Sequence, residues 1–166
     1  MTQDYSIDAD WATQYIDGEF VAGESGDTIA VEDPSTREVV TEVPAGVAAD
    51  VDAAYEAAAE AQESWAEQPP ARRAEVIQNL LQILQEREAE ITSLLTHEVG
   101  GSPAMGATSI QIASDHAGEA ATLPRRMKGE TAASNIPGKE NYLHREPKGV
   151  VTVISPWNFP LNLSMR

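Results

Sequence analysis

Gly149-Val150-Val151-Thr152-Val153-Ile154-Ser155-Pro156-Trp157-Asn158-Phe159-Pro160 is the stretch whose reading decides the fold. Val150 to Ile154 are five consecutive β-branched residues between a glycine and a proline-framed loop. Such side chains are stiff at χ1 and suit a pleated backbone. An apolar run without alternation predicts a strand covered on both faces, as in the parallel sheet of an α/β domain. Pro160 to Arg166 reads as the start of a helix. Strand, loop and helix make half of a nucleotide-binding unit, and ligands of such folds sit at the carboxyl ends of the strands. Ser155 to Phe159 occupies that place.

Working back toward the N-terminus, Tyr142 to Arg145 predicts a strand that breaks at Pro147, and Lys128 to Gly138 a loop. A helix is expected over Ala104 to Ala121, ending before Pro124. Ile77, Leu80, Leu81, Leu84, Ile91 and Leu95 form one apolar stripe, with Gln78, Gln82, Gln85, Glu86 and Glu90 opposite it. This predicts one amphipathic helix starting near Pro70 and stopping at Gly100-Gly101. Val51, Tyr55, Ala58, Gln62 and Trp65 recur at helical spacing within Ala48 to Gln68, which makes Tyr55 and Trp65 expected core residues. The short Pro69-Pro70 link predicts antiparallel packing of these two helices. Nearer the start, Thr28 to Glu32 and Val39 to Val43 flank an Asp33-Pro34-Ser35-Thr36 turn. Asp17-Gly18 between Tyr15-Ile16 and Phe20-Val21 predicts a two-residue hairpin with positive φ.

Composition narrows the function classes. The 166 residues include 42% hydrophobic side chains, enough for a core. No apolar run reaches the roughly 18 residues of a membrane span. Met1 to Trp11 is polar and acidic, unlike a signal peptide, so a cytoplasmic protein is expected. Eleven basic residues against 27 acidic ones give a net charge of −16, which repels nucleic-acid phosphates. The scarcity of lysine (Lys128, Lys139 and Lys148) points to adaptation to high salt. No cysteine is present, which excludes disulfides, thiolate metal sites and a cysteine nucleophile within these residues. His97, His116 and His144 are dispersed, so no metal site is expected. His97 beside Glu98 reads as a helix-end dipole contact. Ser114-Asp115-His116 reads as helix surface, because sequence neighbours on a helix point in different directions. Glu56, Glu60, Glu63 and Glu67 read as a hydrated face. Arg125, Arg126 and Arg145 read as surface partners of local acids. Asn162-Leu163-Ser164 fits a glycosylation sequon that a cytoplasmic chain would not use.

The motifs resemble the aldehyde dehydrogenase superfamily. Glu146-Pro147-Lys148-Gly149-Val150-Val151 and Ile154-Ser155-Pro156-Trp157-Asn158-Phe159-Pro160 carry the likeness. The Tyr15-Ile16-Asp17-Gly18-Glu19-Phe20 hairpin, the Asp33-Pro34 turn, Arg72-Arg73 and Glu98-Val99-Gly100 follow the family in order. The stretch from Gly118 to Arg126 resembles aromatic-aldehyde branches. One departure is the Gly100-Gly101-Ser102 turn, where the family often carries a lysine.

The resemblance implies an α/β fold: the N-terminal part of a Rossmann-like nucleotide-binding domain with hairpins and helices ahead of it, truncated. It implies a tail over 1–14, hairpins and helices of the cofactor-binding domain over 15–124, a loop and oligomerisation-arm strand over 125–147, and the first nucleotide-binding strand, cofactor loop and helix start over 148–166. It also implies oxidation of an aldehyde to a carboxylic acid with NAD or NADP by way of a cysteine thiohemiacetal. Asn158 matches the asparagine whose amide donates to the oxyanion. Ile154, Ser155, Pro156, Trp157 and Asn158 match the cofactor site. The family's cysteine and glutamate lie downstream of this loop, so the chain alone is expected to be inactive. The family forms dimers or tetramers. The rival reading is a non-catalytic helical interaction module or a decayed remnant. The sequence following Arg166 separates the two: a continuing frame with a cysteine-bearing segment belongs to an enzyme.

Overall fold

The computed structural model describes residues 13–166. The tail assigned to 1–14 lies outside the described residues except for its last two, and Gln14 already belongs to a strand. β1 (Gln14–Ile16) and β2 (Glu19–Val21) pair antiparallel with Tyr15 opposite Phe20, their rings 5.1 Å apart edge to face. Asp17 at φ 53° and Gly18 at φ 80° make the expected turn, whose twist matches that of the strands it joins. β3 (Thr28–Glu32) and β4 (Val39–Pro44) form the second antiparallel pair. Their turn is closed by Asp33, whose Oδ1 accepts from Ser35 N at 2.7 Å and Thr36 N at 3.3 Å.

The helices are α1 (Ala48–Ala66), α2 (Pro70–Glu86), α3 (Glu88–Val99), α4 (Pro103–Ala120), the short α5 (Leu123–Arg126) and α6 (Pro160–Met165). At the start of α1, Asp50 reaches back to accept from Val47 N at 2.8 Å and from Glu24 N at 3.0 Å, tying the helix to the first loop. α4 is the centre of the bundle. Gly106, Ser109, Ile110, Ala113 and Ala117 are buried along it, and α2, α3 and α6 pack against it. The small side chains let neighbouring backbones come close. A Cβ on Gly106 would stand 2.8 Å from Thr92 Cγ2 and 3.1 Å from Thr92 Cα on α3.

Four expectations are corrected. The helix expected from Pro70 to Gly100 is two, broken at Arg87 (φ −105°, ψ 19°). A straight helix over that stretch would be about 45 Å long, against about 27 Å for α4; the bend lays both halves on α4. The stop at Gly100 is as expected, with φ at 72°. Second, α1 and α2 do not pack as an antiparallel pair: α2 packs on α4 and α5, and α1 touches β1. Tyr55 and Trp65 are therefore exposed, at 46% and 40%. Third, the loop expected over Lys128 to Gly138 contains β5 (Glu130–Ala132), paired antiparallel with β6 (Asn141–Leu143). β6 overlaps the strand expected at Tyr142 to Arg145 at Tyr142 and Leu143, beginning one residue earlier and ending two residues earlier. Fourth, Val150 to Ile154 join no ladder, and the described sheets are three antiparallel pairs. A strand of a parallel sheet needs neighbours to pair with at its edges and layers packed on both faces, and no described strand pairs with this segment.

Candidate active site

The loop from Ser155 to Phe159 is held from behind. Phe159 precedes α6, and its carbonyl accepts from Leu163 N at 3.1 Å. Pro160 sits in a recess formed with Leu95, Val99, Gly101, Met105, Gly106 and Ser109, where α3 and α4 converge. Asn162 is buried at 5% exposure on the α6 side that meets α4, and its Oδ1 has no hydrogen-bond partner in the chain. The sequon residue is thus sealed inside the fold. Ser164 Oγ donates to the Pro160 carbonyl at 2.8 Å and also meets Ser155 Oγ. Upstream, the hydroxyls of Tyr55 and Thr152 meet, fastening the β-branched segment to α1.

Residues expected at the site divide into two groups. Ser155 is half-buried and turned to α6, while Ile154 and Trp157 stand out at 89% and 82% exposure. Pro156 and Asn158 are exposed beside them. An indole, an isoleucine and a proline are thus open to solvent in this loop, together with the Asn158 carboxamide. Exposed apolar side chains with one carboxamide are chemically able to pack against flat rings and to donate one hydrogen bond. From Gly149 to Met165 there is no lysine or arginine, so nothing in this stretch offers a cationic side chain to a pyrophosphate. The sequence reading missed the roles of Ser164 and Tyr55. Their signal is a tertiary pairing that neither periodicity nor motif carries.

Elsewhere, the histidine expected to make only a dipole contact is paired: His97 Nδ1 lies 2.9 Å from Asp33 Oδ2. The imidazole beside Asp33, then the Ser35 amide, hold that carboxyl below its usual range. Hydrogen bonds from Val47 and then Glu24 do the same for Asp50. Arg126 meets Glu119 at 2.8 Å, as expected of a surface arginine. Among the described residues, no cluster of histidine and carboxylates is placed to hold a metal, and no helix is long and apolar enough to cross a membrane.

The sequence profile of the aldehyde dehydrogenase family matches residues 20–166. The chain belongs to that family. It is 43% identical over 151 residues to a vanillin dehydrogenase of Corynebacterium glutamicum, covering 91% of this chain and 31% of that relative. A benzaldehyde dehydrogenase of Bacillus subtilis is 39% identical, with 92% of this chain and 32% of the relative covered. Among solved structures, an NAD-dependent benzaldehyde dehydrogenase of Corynebacterium glutamicum superimposes with a TM-score of 0.90 at 42% identity, covering 96% of this chain and 34% of that one. The chain thus spans about a third of the length of the relatives it matches. Its fold is the corresponding portion of theirs, helices with small sheets.

Proposed function

We propose that the whole protein oxidises an aromatic aldehyde to its carboxylic acid with NAD, and that Asn158 is this chain's contribution to the chemistry. The observation that supports it most is the placement of Asn158. It is exposed beside an open Trp157, on a loop pinned by α6, in a chain of the aldehyde dehydrogenase family. A carboxamide there would donate to the oxygen that becomes negative when the aldehyde carbon is attacked. Its value lies in being fixed before the charge develops. Ile154, Ser155, Pro156 and Trp157 would bind the cofactor's rings by packing and through the backbone. Held by these residues, the cofactor would supply the hydride acceptor for the oxidation. The nucleophilic thiol must come from outside these residues, which contain no cysteine. NADP is the alternative coenzyme: a solved Escherichia coli enzyme that is 27% identical to this chain is NADP dependent.

In this reading residues 15–124 frame the cofactor domain, 125–147 form an arm for a dimer or tetramer, and 148–166 begin the nucleotide sheet. The acidic surface suits a salt-rich cytoplasm. The test is Asn158→Ala in the full-length enzyme, assayed with benzaldehyde or vanillin and with NAD or NADP. Loss of one such donor costs on the order of 3 kcal/mol, roughly a hundredfold in kcat. An unchanged kcat would remove Asn158 from the mechanism. Residues 1–166 alone are expected to reduce no cofactor; turnover by this chain, free of contaminating enzyme, would overturn the need for an external thiol.

A further inference from the structure

Two serines close the candidate loop through a chain of two side-chain hydrogen bonds. Ser164 Oγ donates to the carbonyl of Pro160, four residues back on α6, at 2.8 Å. A serine hydroxyl has one proton to give. Ser164's proton is committed to Pro160, so the contact between the two hydroxyls is made by the Ser155 proton, donated to Ser164 Oγ. The clasp spans nine residues, with Asn158 between its ends. Its anchor is firm, because α6 is seated on α4 through buried Asn162 and through Pro160 in its recess.

We propose that Ser164 is a positioning residue for Asn158: through Ser155 it holds the loop against α6, so that the carboxamide stands in one place. This rests on the reading of Asn158 as the oxyanion donor. A donor on an unfastened loop would have to be ordered during the reaction, and a displacement of about 1 Å can cost roughly a hundredfold in rate.

The experiment uses the full-length dehydrogenase with Ser164→Ala, Ser155→Ala, Ser164→Thr, Asn158→Ala and the double variant Asn158→Ala/Ser164→Ala. Steady-state constants and thermal midpoints are measured for each. Ser164→Ala and Ser155→Ala are expected to lower kcat between about tenfold and a hundredfold, with KM for the aldehyde little changed. Ser164→Thr keeps a hydroxyl able to bond the carbonyl four residues back and is expected to retain most of kcat. In the Asn158→Ala background, Ser164→Ala is expected to add nothing, since its effect passes through the missing amide. Additive losses in the double variant would overturn the proposal. So would a normal kcat in both serine-to-alanine variants while Asn158→Ala is impaired, a result that leaves the role of Asn158 standing. A normal kcat in Asn158→Ala would overturn both. If Ser164→Ala does not fold, Asn158→Ala/Ser155→Ala takes the place of the double variant, and additive losses there overturn the proposal.

Discussion

At the residue scale, Asp33 joins two elements that are distant in sequence. One carboxylate oxygen accepts from the amides of its own turn and the other meets His97 at the end of α3. The neighbouring Pro34 packs on Gly100, where a Cβ would stand 2.9 Å from Pro34 Cγ. Asp33 and Asp50 both hold their charge more readily when folded than an ordinary carboxylate does. A carboxyl with a depressed folded pKa contributes stability that is fully present above the unfolded value, about pH 4. That contribution is lost as pH falls through the folded value. Urea midpoints are therefore expected to hold down to about pH 4 and then fall. Asp33→Asn and Asp50→Asn should each flatten the acid limb; identical limbs in variant and parent would show that neither carboxyl matters to it.

At the scale of elements, close approach to α4 governs the helical packing. Gly106 faces Thr92 too closely to admit a side chain, since the nearest atoms include backbone. Gly106→Val would force α3 away from α4 and is expected to destabilise by about 1–3 kcal/mol, as overpacking does. Gly118, also on α4, has open space around its would-be Cβ, so Gly118→Ala should be neutral or slightly stabilising. A chemical denaturation pair of these two variants checks both signs at once. The break at Arg87 belongs to the same scale. Neither glycine nor proline marks it, and Arg87 pairs with Glu90 across the first turn of α3. The break lets both α2 and α3 pack on α4.

At the scale of the molecule, the chain has much surface and little core. Its accessible area is 12159 Å², against about 8,000 Å² for a compact monomer of this mass. Among the described residues, the buried apolar ones are Ala74, Leu84, Ile110, Ala113, Ala117 and Ala121, most of them small. Val151, Val153, Ile154 and Trp157 are more than half exposed. Each of those aliphatic side chains would contribute roughly 1.5–3 kcal/mol if covered. The isolated chain is accordingly expected to bind a hydrophobic dye such as ANS and to melt over a broad range. A sharp, reversible transition with no dye bound would contradict this. Net charge adds a second expectation. With −16 on 166 residues, self-repulsion should weaken as the screening length falls from about 10 Å at 0.1 M salt to about 3 Å at 1 M. The urea midpoint should rise over that range of KCl; a flat response would remove the salt-adaptation reading.

Sequence by itself determined the pieces whose shape rests on a few adjacent residues. The Asp17-Gly18 hairpin, the Asp33 turn, the stop at Gly100 and the spans of α1 and α4 are of this kind. Motif likeness also carried the family, because the string from Ile154 to Pro160 is specific where helical periodicity is not. Tertiary structure alone decided the break at Arg87, the exposure of Tyr55 and Trp65, the pairing of β5 with β6, and the unladdered state of Val150 to Ile154. It also brought Ser155 to Ser164 and His97 to Asp33. The reason is one of range: turns and caps are settled by backbone sterics within about four residues. Burial, strand pairing and side-chain clasps depend on which distant surface arrives, and local preference does not encode that arrival.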